Sequence, residues 1–238
     1  MPVSFSQQSQ QSQQIGATLP EWKVCPPPRK EAIYGQYYRL EPVSIERHGA
    51  DIWQAFNADT KHLIWTYLPY GPFDNQSQLE DWISATCLGD DPLFYAVIDL
   101  KNGHATGMAS YLRIQPEVGV IEVGHINFSP TLQQTTAATE AMYLMMNNAF
   151  DLGYSRYEWK CDNLNIGSKA AAKRLGFSYD GLFKQATIYK GRNRDTAWFS
   201  ILDSDWPSLL GSYQTWLSDN NFDAGGAQKS KLHQSRLD

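Results

Sequence analysis

Residues 120–177 constrain the fold more than any other stretch of the chain. A strand-like run, VIEVGHINF (120–128), gives way to a loop of small and polar residues. A helix follows over about 135–152, packing Ala138, Met142, Met145, Met146 and Ala149. Gly153 stops that helix, as a glycine just past a helix C-terminus usually does. A strand over 156–162 and a short Ala-rich helix over 166–175, closed by Gly176, complete the unit. The first N–H groups of a helix have no partner within it and sit at the positive end of its dipole. Small residues at such a junction let a pyrophosphate approach the backbone closely, without a metal or a lysine.

The rest of the sequence frames this unit. Residues 37–43 alternate as a strand does, and 48–57 and 76–88 carry apolar residues at helical spacing. Strand-like runs follow at 93–100, 105–115 and 119–128, with Asn102-Gly103 as a hairpin signal between the first two. After the central unit come strands at 178–190 and 195–202 and a helix at 206–217. An antiparallel meander followed by β-α-β-α-β makes an α+β domain, 37–218, with a mixed, mostly antiparallel sheet of about seven strands.

The ends read differently. Residues 1–20 are rich in Gln and Ser, carry no charge and offer little to bury, so disorder is expected there. Residues 21–36, with Pro26-Pro27-Pro28, read as an extended arm, and 219–238 as a flexible tail. The mild net charge of −5 gives no reason to expect a nucleic-acid footprint, which calls for a basic face or stripe. Three scattered cysteines, Cys25, Cys87 and Cys161, fit neither a disulfide framework nor a zinc site. No run of roughly 18 apolar residues is present to span a bilayer, and no signal peptide is visible at the N-terminus. A cytoplasmic protein without a metal or membrane partner, monomeric or homodimeric, is the expectation.

Three motifs then bear on function. Glu122-Val123-Gly124-His125 stands on the strand before the loop. Gln133-Gln134-Thr135-Thr136-Ala137-Ala138 runs into Thr139-Glu140-Ala141. Asn165-Ile166-Gly167-Ser168 opens the next helix, followed by Arg174-Leu175-Gly176-Phe177. In this order and at this spacing they resemble the GNAT superfamily of N-acetyltransferases, in particular its RimJ/RimL-like branch, over roughly residues 37–207. The resemblance implies the GNAT fold, acetyl-CoA as cosubstrate, and transfer of acetyl to a small-molecule amine or a peptide N-terminus in a ternary complex. It implies cofactor contacts from Asn127 and Phe128, from the loop residues Gln133, Gln134, Thr135, Thr136, Ala137, Ala138 and Thr139, and from Asn165 and Ser168. Thr136 departs from the family pattern, which has glycine there. A β-branched residue is strained at positive φ, so the loop is expected to stay right-handed at Thr136. The same departure motivates an alternative, a CoA-binding GNAT-fold protein that has lost turnover.

Acetyl transfer needs a neutral amine, a polarised thioester carbonyl and a proton for the departing thiolate. The resemblance places carbonyl polarisation at a strand bulge near 126–128. Glu122, acting through water, is one candidate base. His125, with an ordinary pKa near ~6.5, is the other. Strand alternation puts these two on opposite faces unless a bulge intervenes. Ser168 fits the acid role and Asn165 a pantetheine contact, although Asn165 also stands at a helix N-cap. Tyr179 and Tyr189 are further acid candidates on late strands. Lys169, Lys173 and Arg174 are candidates for the CoA 3′-phosphate or for a solvated helix face. Cys161 has no activating neighbour in the sequence. Trp65, Tyr67, Tyr70 and Phe73, between the first two helices, either wall the acceptor site or pin their loop to the core.

Overall fold

The computed structural model describes residues 7–8, 13–225 and 227–232. Two short strands, β1 (Gln7–Gln8) and β2 (Gln14–Ile15), pair with each other. The expectation of disorder over 1–20 falls partly on 1–6 and 9–12, which lie outside the described residues. Beyond these come β3 (Ile33–Tyr34), β4 (Tyr38–Pro42), α1 (Ile45–Asn57) and α2 (Gln76–Thr86). Then follow β5 (Leu93–Asp99), β6 (Ala105–Gln115), β7 (Val120–Phe128), α3 (Thr136–Asp151), β8 (Arg156–Asp162) and α4 (Ile166–Arg174). The chain continues with β9 (Ser178–Tyr189), β10 (Arg192–Leu202) and α5 (Trp206–Leu217).

One eight-stranded sheet has the order β3-β4-β5-β6-β7-β8-β10-β9, antiparallel except where β7 meets β8. The eighth strand, β3, lies in the stretch read as an extended arm; two residues are too few to show periodicity. Alternation along the strands divides the core. Tyr95, Val97, Tyr111, Ile121, Tyr157 and Phe199 face α3, α4 and α5, whereas Phe94, Ala96, Ile98 and Met108 face α1 and α2.

Side-chain caps fix the helix starts. Ser44, Asn75, Thr135 and Asn165 each accept a hydrogen bond from the backbone N–H three residues on. The Ser44 cap starts α1 three residues before the apolar spacing reveals it. Gly153 and Gly176 end α3 and α4 in matching left-handed turns, φ 91° and 94°. In each, the next N–H reaches back to close the helix, Tyr154 to Ala149 and Phe177 to Ala172.

Within the segment read as a flexible tail, the described residues 219–225 and 227–232 instead fold back onto the domain. Asn221 is buried; its Oδ1 accepts from the Ser230 N–H and hydroxyl, and its Nδ2 donates to the Trp216 carbonyl. Leu232 is buried in the main core. A single buried Asn and a single Leu leave no pattern in the sequence. Residues 226 and 233–238 lie outside the described residues.

Candidate active site

Strands β7 and β8 pair from Val120↔Arg156 to Val123↔Trp159 and then part. On its other side β7 pairs with β6, where the register jumps from Ser110↔Gly124 to Met108↔Asn127. Two residues, His125 and Ile126, therefore oppose one, and His125 takes a left-handed backbone, φ 48°. This is a β-bulge. It resolves the alternation problem, because Glu122 and His125 both line one cavity. That cavity, about 1240 Å³, opens where β7 and β8 part, among the start of α3, α4, the β9–β10 hairpin and the loop after α1.

The α3 wall is formed by Gln133, Gln134, Thr135, Thr136, Ala138 and Thr139, while Ala137 turns into the core. Thr136 is the first residue of α3 and is right-handed, as its branched side chain requires. The left-handed position is Gln134, φ 61°. Thr135 secures the junction: its hydroxyl donates to the Leu132 carbonyl at 2.7 Å and accepts from the Ala138 N–H at 3.1 Å. Gln133 Nε2 donates to the Phe128 carbonyl at 2.8 Å, tying the loop to the strand end. Glu140 faces away from the cavity. It accepts from the N–H groups of Gln36, Tyr37 and Tyr38 at 2.6, 2.9 and 2.8 Å. Gly35 permits this clasp, since a Cβ there would lie 2.7 Å from the Glu140 carboxyl carbon.

On α4, Asn165 Oδ1 accepts from the Ser168 N–H at 2.9 Å, so Asn165 is the N-cap. Ser168 Oγ accepts from Trp159 Nε1 at 3.0 Å, and its hydroxyl is within hydrogen-bond reach of the Cys161 sulfur. Arg174 lines the cavity, donates to Thr139 Oγ1 at 3.0 Å and packs on the Trp216 ring. Lys169 turns toward Asn163 and Lys173 is exposed; neither reaches the cavity wall. Cys161 lines the wall as a thiol, its pKa pushed up by burial.

The floor carries charge. Glu122, buried, receives Arg113 Nε and Nη2 at 2.6 and 2.5 Å and Lys160 Nζ at 2.7 Å. Lys160 also contacts Glu158 at 2.7 Å, and Glu158 contacts Arg156. Both carboxylate oxygens of Glu122 are thus taken by cations, which does not suit a free base. Burial, with help from the Arg113 charge, lowers the His125 pKa to about 4. His125 is therefore neutral at physiological pH. Its Nδ1 lies 3.2 Å from the Tyr70 hydroxyl, and its ring stacks on Tyr70 and leans on Phe94.

The four aromatics of the loop after α1 divide. Tyr67 lines the cavity and donates its hydroxyl to the Leu164 carbonyl at 3.0 Å. Trp65, Phe73 and Tyr70 do not line it. Trp65 meets Phe56, Tyr70 and Phe73 edge-on, and Tyr70 and Phe73 pack on Trp82, so all three belong to the core under α1 and α2. Of the late tyrosines, Tyr189 lines the cavity and donates to Asp162 at 2.8 Å. Burial and that carboxylate push its pKa up to about 12.

The structure also brings in residues the motifs did not indicate: Arg113, Lys160, Arg194, Thr196 and Trp198. The signal for Lys160 was present. RYEWKCD (156–162) alternates strictly, with Tyr157, Trp159 and Cys161 buried in the core and Arg156, Glu158, Lys160 and Asp162 on the other face. Asn127 fits an acyl-CoA ligand best. It is 2% exposed, lies where the strands part, and neither its Oδ1 nor its Nδ2 has a partner among the described residues. Buried amides of this kind are nearly always bonded, so a polar ligand is expected beside it.

A family model described as "Acetyltransferase (GNAT) domain" matches residues 39–178. This chain belongs to the GNAT acetyltransferase family. The GNAT fold is shared with a GCN5-related N-acetyltransferase from Brucella melitensis, 44% identical, covering 90% of this chain and 97% of that one at TM-score 0.88. A probable acetyltransferase (GNAT family) from Chromobacterium violaceum ATCC 12472 is 39% identical, covering 81% and 96% at TM-score 0.76. The ribosomal L7/L12 α-N-protein acetyltransferase RimL shares the fold at 19% identity, covering 72% and 94% at TM-score 0.63. No curated protein matches the chain. Among the described residues no cluster of His, Cys, Asp and Glu could hold a metal ion, and no helix is long and apolar enough to cross a membrane.

Proposed function

We propose that this GNAT protein is a cytoplasmic, RimJ/RimL-like N-acetyltransferase that moves acetyl directly from acetyl-CoA to a primary amine. The observation that carries this reading is Asn127, a buried, unpartnered amide at the point where β7 and β8 part. The α3 N-terminus supports it, since Thr136 is in helical geometry and its branched side chain carries no left-handed strain. In this reading the backbone at the bulge, residues 125–127, donates to the thioester oxygen. The amine nitrogen attacks the carbonyl carbon, the C–S bond breaks, and Ser168 supplies a proton to the departing thiolate. Trp159 Nε1 donates to the Ser168 oxygen, and in this reading the Ser168 hydroxyl proton is the one given to the sulfur.

The base is where the geometry redirects the reading. Glu122 is clamped by Arg113 and Lys160, and His125 is neutral with a pKa of about 4. We therefore assign Glu122 to fixing the charged floor, with the amine attacking in its free-base form. An α-amino group, pKa ≈ 7.7–8.0, is roughly a third free base near pH 7.5, against about 0.1% for a lysine at ≈ 10.4. That ratio favours a peptide or protein N-terminal amine. The proton released from nitrogen after attack passes through water to the Ser168 oxygen, which restores its hydroxyl and balances the proton given to the thiolate. Steady-state thiol release with both substrates varied tests the ternary complex: intersecting double-reciprocal lines are expected. Parallel lines, the mark of an acyl-enzyme, would contradict it.

A further inference from the structure

We propose that the acceptor bears a hydrogen-bond-accepting oxygen beside its amine, a carboxylate or an amide carbonyl, and that Trp198 and Arg194 read that oxygen. The inference rests on the acetyltransferase reading above and concerns only the acceptor half of the cavity. Trp198 Nε1 and Arg194 Nε are both buried atoms of cavity-lining residues, and neither has a hydrogen-bond partner among the described residues. Both groups can only donate. Their positions are fixed rather than incidental. The Trp198 indole lies under the Lys160 ammonium at 3.7 Å and stacks on Phe183 at 4.5 Å, and the Arg194 guanidinium packs over the Tyr189 ring. Buried donors left over in a well-packed wall point to an acceptor supplied by a ligand.

The charges of the same wall point the same way. Its two carboxylates are already engaged, Glu122 by Arg113 and Lys160, and Asp162 by the Tyr189 hydroxyl and the Leu164 N–H. Among the described residues lining the cavity, Glu122 is neutralised by two cations, so Asp162, bonded only to neutral donors, is the one carboxylate open to an ammonium, against the cationic side chains of Arg113, Lys160, Arg174 and Arg194. An oxygen next to the amine can engage Trp198 Nε1 or Arg194 Nε, four residues apart on β10, over a floor that also carries Lys160 and Arg113. Such a site rejects the analogue lacking the oxygen strongly, because its donors then stay buried and unpaired.

The test is a kinetic panel on the full chain: a free amino acid, its amide and a dipeptide, the corresponding amine without the carboxyl group, and spermidine. With each rate expressed per free-base amine, the oxygen-bearing amines are expected to exceed the decarboxylated amine and spermidine by at least about tenfold in kcat/KM. The free acid against the amide and dipeptide separates a carboxylate from a carbonyl. Trp198→Phe and Arg194→Met are each expected to raise the acceptor KM about tenfold and to leave the acetyl-CoA KM within twofold. Spermidine or the decarboxylated amine as the better substrate would overturn the proposal. So would variants that shift only the acetyl-CoA KM, or an enzyme that binds acetyl-CoA and acetylates no oxygen-bearing amine. Failure to bind acetyl-CoA would instead overturn the underlying acetyltransferase reading, and this assignment with it.

Discussion

Glu140→Gln separates a structural signature residue from a cofactor contact. Glu140 stands in the Thr139-Glu140-Ala141 mark beside the cofactor loop, yet its carboxylate holds three backbone N–H groups of the β3–β4 turn and lies off the cavity. Bonds to a charged acceptor contribute about 1.5–3 kcal/mol each, and neutral ones about 0.5–1.5. Glutamine keeps one oxygen, which can retain the Tyr37 and Tyr38 bonds in neutral form. Its amide NH2 then faces the Gln36 N–H, donor against donor. Weakening two bonds by about 1 kcal/mol each and losing a third of about 2 gives about 4 kcal/mol. The turn is only part-buried, so water recovers some of this, and about 2–3 kcal/mol is expected. For a domain of this size that is a fall in Tm of roughly 4–12 °C. Urea unfolding reads the stability change, and calorimetry reads acetyl-CoA affinity, expected within twofold of wild type. A stability loss under 1 kcal/mol, or a large loss of affinity in a well-folded variant, would refute the assignment.

Ser168→Ala should lower kcat by about 10²-fold or more while the acetyl-CoA KM stays within a few-fold, as expected for a lost proton donor; an unchanged kcat removes Ser168 from that role. Arg174→Gln should weaken acetyl-CoA binding several-fold and Lys173→Gln should not, because only Arg174 reaches the cavity; equal effects would contradict this. Acid should destabilise the fold through His125. Its folded pKa of about 4 lies below the unfolded ~6.5, so the unfolded chain takes up the proton first. Stability is full above about pH 6.5 and falls by roughly 3 kcal/mol as pH drops toward 4. Urea midpoints across that range should show the loss, and His125→Asn, compatible with the left-handed backbone, should flatten it.

How much of this was legible in the sequence depended on whether the signal was local. The helix ends at Gly153 and Gly176 and the cap at Asn165 were readable because each is settled within a few residues. The bulge at His125 was reachable only through the family resemblance; it depends on how β6 and β8 pair with β7, which one strand does not encode. The fates of Trp65 and Phe73 turned on packing against Phe56 and Trp82, residues 9 positions away in sequence in both cases. Lys160 was visible in the alternation of 156–162, but its partner Glu122 lies on another strand, and only the parallel register of β7 and β8 brings them together. The hairpin after Tyr189 turns on Lys190-Gly191 with φ 48° and 68°, a turn without the Asn or Asp that usually marks it.

The central claim is that the cavity between the parting strands β7 and β8 is the acetyl-CoA site. Isothermal titration of acetyl-CoA into wild type and into Asn127→Leu tests it most directly. One site per chain is predicted for wild type, with affinity at least tenfold weaker in a folded Asn127→Leu variant. Wild type that gives no binding isotherm, or a variant that binds as tightly as wild type, would contradict it.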